Sequence, residues 1–238
     1  MIDRMKLLEM RNYLRYVELL GTAHWSRRSI ADAATTVDRL RPQAVCIELD
    51  KRRFDFLRRA CFECPRLGNC KGKCEFMVAT DALGNQDADI WLMDMDEEEI
   101  AARLRYRAKP EEIIAWRRID AYVAEHNAQG LRLWEEGLKQ EALDYFNGGT
   151  ELMRRTFPTL WQVLIHERNL LMASRLIFIT EEYINMGIVE PRILAIVGAA
   201  HVLGMRRLLV DPLGALRLME QSDLQFTPPV RIHKVRVS

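Results

Sequence analysis

The period of the hydrophobic positions changes along the chain. Residues 13–24, "YLRYVELLGTAH", are dense in leucine, valine and tyrosine and run into a glycine turn, the pattern of a strand. In "SRRSIADAATTVDRLRP" the apolar residues Ile30, Ala33, Ala34, Val37 and Leu40 fall at helical spacing. Ser26 or Ser29 can cap the start of this helix, and Pro42 follows its end. "QAVCIELD" is a short, nearly continuous apolar run, as a parallel strand buried on both faces requires. Strand, helix and strand in this order form one βαβ unit. "KRRFDFLRRA" begins a second helix that a cysteine cluster interrupts, and "DADIWLMDMD" reads as a third strand. From Glu97 to Leu176 the period is helical, with Pro110-Glu111-Glu112 as a first turn and with Gly130 and "NGGT" at 147–150 as turns. "PRILAIVGAAHVLGMRRLLV" returns to strand, glycine turn and helix, and "PVRIHKVRVS" alternates as an edge strand does. These elements predict a single α/β domain over residues 1–238. Its sheet is mostly parallel with flanking helices, and a helical insert covers 97–176.

Composition narrows the class. Hydrophobic residues make up 49% and charged residues 29%, an ordinary globular balance. A formal net charge of +1 gives no reason to expect nucleic acid or an anionic membrane as partner. No run reaches the ~18 apolar residues of a membrane span. Met1 to Arg15 carry charge in every turn and lack the apolar stretch of a signal peptide. The expectation is a cytoplasmic protein without a membrane span, and oligomer formation is left open.

Two apolar runs end alike: Gly21-Thr22-Ala23-His24 and Gly198-Ala199-Ala200-His201. In an open parallel sheet, functional groups collect at the carboxyl ends of the strands. His24 and His201 are both expected there, with Glu48 from "CIELD" and Asp94 and Asp96 from "WLMDMD". Two imidazoles and a carboxylate on one rim suit a divalent metal with an open position for water. The bland alternative is that each histidine caps or hydrogen-bonds its own turn. His166 and Glu167 are candidates to orient a ligand, whereas His126 and His233 read as surface residues.

Four of the five cysteines fall in "CFECPRLGNCKGKC", with spacing C-x2-C-x5-C-x3-C through Cys61, Cys64, Cys70 and Cys74. Thiolates so spaced point to a 4Fe–4S cluster or zinc bound by the loop 61–74, with disulfides or free thiols as the alternative. Locally the stretch is similar to the cluster motifs of SPASM domains and Cas4-like nucleases. Cys46, mid-strand, reads as a small core residue.

The motif order resembles the TraB/PrgY family. GTAH-x-S corresponds to Gly21–His24 and Ser26; ELD and a following arginine correspond to Glu48, Asp50 and Arg53. "DADIWLMDMD" is similar to the family's aspartate-bearing strand. Glu167, Arg168, Met172 and Ala173 match its ERD-x-x-MA helix, with Asn169 in place of the aspartate, and "VGAAHVLGM" matches its closing block. The resemblance covers residues 16–207. It implies a fold shared with Tiki, GumN, haem-binding ChaN and EreA-like proteins. Tiki relatives are metal-dependent proteases using manganese or cobalt, so it implies a metal-dependent hydrolase, peptidase-like, with His24, Glu48 and His201 as ligands of Mn, Co or Zn and Arg168 beside them. Arg168 then has two readings: a clamp on a tetrahedral oxyanion or a peptide carboxylate, or a structural partner for Glu48 or Asp50 that locks helix to sheet. PrgY and TraB members are linked to pheromone-peptide shutdown. The alternatives are a module that binds a peptide or small molecule without cleaving it, and a cluster-bearing regulatory protein.

Overall fold

A computed structural model describes residues 11–24, 26–62, 74–84 and 86–232. Within it the chain is α/β, built on a five-stranded sheet of order β1-β4-β2-β3-β5. The strands are β1 (Val17–Thr22), β2 (Ala44–Ile47), β3 (Asp89–Leu92), β4 (Ile193–Gly198) and β5 (Val230–Ile232). All neighbours pair in parallel except β5, which lies antiparallel along β3 as the edge strand that alternation predicts.

The near-continuous apolar runs of the central strands follow from burial on both faces. Alternate residues of β4 point opposite ways. Ile193, Ala195 and Val197 pack with Met172, Leu176 and Ile179 of α9 (Arg168–Asn185) and with Val202 and Met205 of α10 (Ala199–Val210). Leu194 and Ile196 pack on the other face with Ala33 and Val37 of α1 (Arg27–Leu40), Phe54 of α2 (Lys51–Phe62) and Phe76 of α3 (Cys74–Ala82). Cys46 is fully buried, its thiol pKa raised by burial, as a core residue should be. At the start of α1, the Ser26 hydroxyl accepts from the Ser29 N–H, and Arg41 ends the helix in the left-handed region at φ 45°.

The segment after β3 is helical, as its period predicts. It comprises α4 (Glu97–Arg107), α5 (Pro110–Arg118), α6 (Asp120–Glu135), α7 (Lys139–Thr156) and α8 (Pro158–Trp161). A π-helical stretch, Gln162–Glu167, leads directly into α9. Two expected turns are absent. Gly130 lies inside α6, and residues 147–150 lie inside α7. These glycines serve close packing: a Cβ on Gly130 would stand 2.5 Å from the Phe146 ring, and one on Gly149 would stand 2.5 Å from His126 Nε2. The turn between α6 and α7 instead uses Gly137, at φ +88°.

Ile196 is central to this arrangement. Ile196→Ala should lower the unfolding free energy by about 2–5 kcal/mol, read as a reduced urea midpoint at unchanged slope. Leu152→Ala, at a side chain 49% exposed, should change it by less than about 0.5 kcal/mol.

Candidate functional site

The site arises from where the crossovers go. β4 lies between β1 and β2. The helix after β4 packs on one face of the sheet, and the helices after β1 and β2 pack on the other. Adjacent strands whose connections leave on opposite faces open a crevice at their carboxyl ends. The register aligns those ends: Thr22 pairs with Gly198, and Ile47 with Ile196. His24, Glu48 and His201 therefore come from three adjacent strand ends, as the sequence predicts.

They converge on Gly198. A Cβ there would lie 3.2 Å from His24 Nε2, 3.4 Å from Glu48 Oε2 and 3.8 Å from His201 Cδ2. Glycine leaves open a space that any side chain would fill. Each imidazole is anchored through its other nitrogen. His24 Nδ1 lies 2.6 Å from Oε1 of Glu75, a fully buried carboxylate that the Thr22 hydroxyl also approaches at 3.4 Å. His201 Nδ1 lies 2.7 Å from Asn169 Oδ1. With a carboxylate and an amide oxygen as acceptors, the ring proton is assigned to Nδ1 in both, which leaves Nε2 with a bare lone pair. Burial pushes the His201 pKa down to about 4, against the pull of Glu48 upward, so the ring is neutral at pH 7. Its Nε2 stands 3.4 Å from Glu48 Oε1.

Glu48 stays charged despite burial. Burial alone would raise its pKa, but Arg168 and the Gly198 N–H, joined in acid by charge on the neighbouring imidazoles, hold it well below the usual carboxylate range. The Gly198 N–H donates to Oε2 at 2.6 Å, and Arg168 Nη2 donates to Oε1 at 2.5 Å. Arg168 also donates from Nε and Nη2 to Asp94 at 2.9 and 2.7 Å, and from Nη1 to the Leu164 carbonyl at 3.2 Å. Burial opposes the Asp94 charge, but Arg168 outweighs it and lowers the carboxyl pKa. The structural partners of Arg168 are thus Glu48 and Asp94. Asp50, the other expected partner, pairs with Arg53, which also reaches Asp94 and the Met95 carbonyl.

Other expectations are corrected. Glu167 is fully buried, yet it faces Arg103 and Arg107 at 3.3 and 3.4 Å and so clamps α4 instead of orienting a ligand. His166 stacks on Trp161, with ring centroids 5.1 Å apart. His126 is not a simple surface residue: it stacks on Tyr145 at 4.2 Å, and its Nε2 is buried without a partner among the described residues. Asp96 precedes α4 without capping it through its side chain. Glu75 was missed, although an acid inside the apolar run "CEFMVAT" is the signal that marks it. Of the cysteine loop, Cys61 sits half-buried in the last turn of α2, while Cys64 and Cys70, like His233, lie outside the described residues.

The residue types fit a divalent cation: two imidazoles, each held through Nδ1, and a carboxylate border one glycine-lined space. The present geometry is not closed round an ion. Among the described residues, no group of three or more His, Cys, Asp or Glu side chains is arranged to hold a metal, and Glu48 is drawn to Arg168 and Gly198. No helix among the described residues is long and apolar enough to cross a membrane.

No family model matches the chain. It is similar to the uncharacterized protein MJ1365 of Methanocaldococcus jannaschii, 24% identical over 252 aligned positions that take in 93% of the chain. The chain spans 59% of that relative's length.

The buried neutral state of His201 sets a pH dependence. Its pKa of about 4 in the fold lies below the roughly 6.5 of an unfolded histidine, so the unfolded chain takes up the proton first. This contribution to stability is complete above about pH 6.5 and is lost as the pH falls toward 4. Glu48 and Asp94, with lowered pKa values, add a further loss below the usual carboxylate range. Denaturant unfolding in the presence of a chelator should show stability declining through this acid window. In His201→Gln the decline between about pH 6.5 and 4 should be shallower, with the half-buried His126 and His166, whose pKa values burial also lowers, still contributing.

Proposed function

We propose that the rim is the active centre of a TraB-like, metal-dependent hydrolase acting on peptide bonds. The convergence of His24 and His201, each with Nδ1 anchored and Nε2 bare, on Gly198 beside Glu48 supports this reading. His24, His201 and Glu48 would hold the cation, manganese, cobalt or zinc. Such an ion supplies Lewis acidity and lowers the pKa of a bound water toward roughly 7.

The chain's own residues then divide the work. Glu75 and Asn169 fix the two ring orientations, as the second hydrogen bond of a metal-ligating histidine does. Asp94 holds the guanidinium of Arg168 at the rim, where its charge stabilises negative charge developing on a substrate carbonyl oxygen. Arg53 supports Asp94 from the other side. We place the protein in the cytoplasm, and we assign to Cys61, Cys64, Cys70 and Cys74 a separate 4Fe–4S cluster or zinc.

A second reading has its own observation. Glu48 is already committed to Arg168 and Gly198, which favours a rim that binds a peptide or small molecule without cleaving it. Cleavage of a peptide library with added manganese, cobalt or zinc separates the two. Under the hydrolase reading, His24→Ala abolishes metal-dependent cleavage while the far-ultraviolet circular dichroism stays unchanged. Arg168→Lys keeps the charge but loses the planar fork, and lowers kcat by about 100-fold or more with a smaller change in KM. Peptide binding without cleavage under every metal would establish the binding module in its place.

A further inference from the structure

Beside the rim lies a cavity of about 560 Å³ between α6, α7 and the π-helical stretch. Its volume is within the roughly 300–1,000 Å³ of small-molecule sites. Its walls are mainly apolar, with Trp116, Tyr122, Phe146, Phe157 and Leu164 among them. Trp116 and Phe157 meet edge to face with centroids 5.3 Å apart. Tyr122 and Leu152 stand at its mouth, 56% and 49% exposed. Large side chains are ordinarily buried together, and a contiguous solvent-open patch of them marks a binding surface.

Two residues of the wall belong to the rim. Ala200 immediately precedes His201, and Arg168 binds Glu48 and Asp94. Arg168 has five N–H groups. Nε, both hydrogens of Nη2 and one of Nη1 are used by Asp94, Glu48 and the Leu164 carbonyl. One Nη1 hydrogen has no acceptor among the described residues. Among the described residues of the cavity wall, Arg168 is the only arginine or lysine, and burial lowers the His126 pKa toward the neutral ring. The cavity thus joins an apolar chamber to a single hydrogen-bond donor of fixed positive charge.

We propose that this cavity is the specificity pocket of the rim, receiving a bulky apolar side chain of a peptide whose adjacent carbonyl or carboxylate oxygen is bound by Arg168. The assignment deepens the hydrolase reading, since it takes the rim as the place where the peptide backbone lies. An aromatic or branched aliphatic side chain matches the wall. A basic side chain would lose its hydration there and meet the like charge of Arg168.

The test uses the full chain and simple probes: N-acetyltryptophan, N-acetylleucine and N-acetylglycine, with binding followed by calorimetry. The tryptophan and leucine probes should bind roughly 10- to 100-fold more tightly than the glycine probe. Val123→Trp, on the α6 wall, should fill the chamber and remove that preference. Leu152→Glu, at the exposed mouth, should weaken the apolar probes about tenfold and serves if the first variant fails to fold. Equal binding of the three probes, no binding of any, or a preference unchanged in both variants would overturn the pocket. The readouts distinguish the two ideas. Side-chain preference in binding without cleavage keeps the pocket and removes the hydrolase. Cleavage without preference, unchanged by either variant, keeps the hydrolase and removes the pocket.

Discussion

A buried cation between two buried carboxylates underlies the rim. Arg168 stands at the first turn of α9 and binds Glu48, from the end of β2, and Asp94, from the end of β3. None of the three would be tolerable alone, because an unpaired charge in the interior costs several kcal/mol. Together they satisfy one another, and the Gly198 N–H completes Glu48. The guanidinium therefore ties α9 to the sheet at the level of the histidines. The side chain thus has the structural role that the ion pairs show, and this role is compatible with the clamp on negative charge proposed above.

The rest of the rim is arranged by backbone topology and by two orienting contacts. Insertion of β4 between β1 and β2 brings the two glycine–histidine turns onto neighbouring strands. Glycine at 198 keeps the space between the rings clear. Glu75 and Asn169 then set which nitrogen each ring presents. Gly204 belongs to this arrangement as well, since a Cβ there would press to 2.3 Å from Asn169 Nδ2. Helix α10 thereby shapes the rim from behind while presenting His201 at its front.

The legible parts of this fold were those that repeat a period or end a strand. β2 and β4 could be read because both their faces are buried, which leaves runs such as "AVCI" and "ILAIV" without polar interruption. His24, Glu48 and His201 could be read because they follow such runs directly. Gly130 and Gly149 read as turns because a helix glycine that admits a neighbouring ring looks, in one dimension, like a turn. Glu75 was hidden for a different reason: its partner, His24, is distant in sequence and belongs to another element. Glu167 shows the converse, an acid beside Arg168 in the chain whose helical direction turns it toward α4. Contacts between elements decide such residues, and periodicity does not report them.

The position of β4 also governs the order of assembly. β1 and β2 share no hydrogen bonds with each other; each pairs with β4. The first βαβ unit therefore has a gap one strand wide until residues 193–198 arrive to fill it. Closing that gap requires contacts between segments far apart in sequence, which slows folding and prolongs exposure of open strand edges. During synthesis the helices between β3 and β4 emerge before the sheet they cover is complete. The rim is consequently among the last features to form, and His24 waits beside an unfilled slot until His201 is delivered with the strand that closes it.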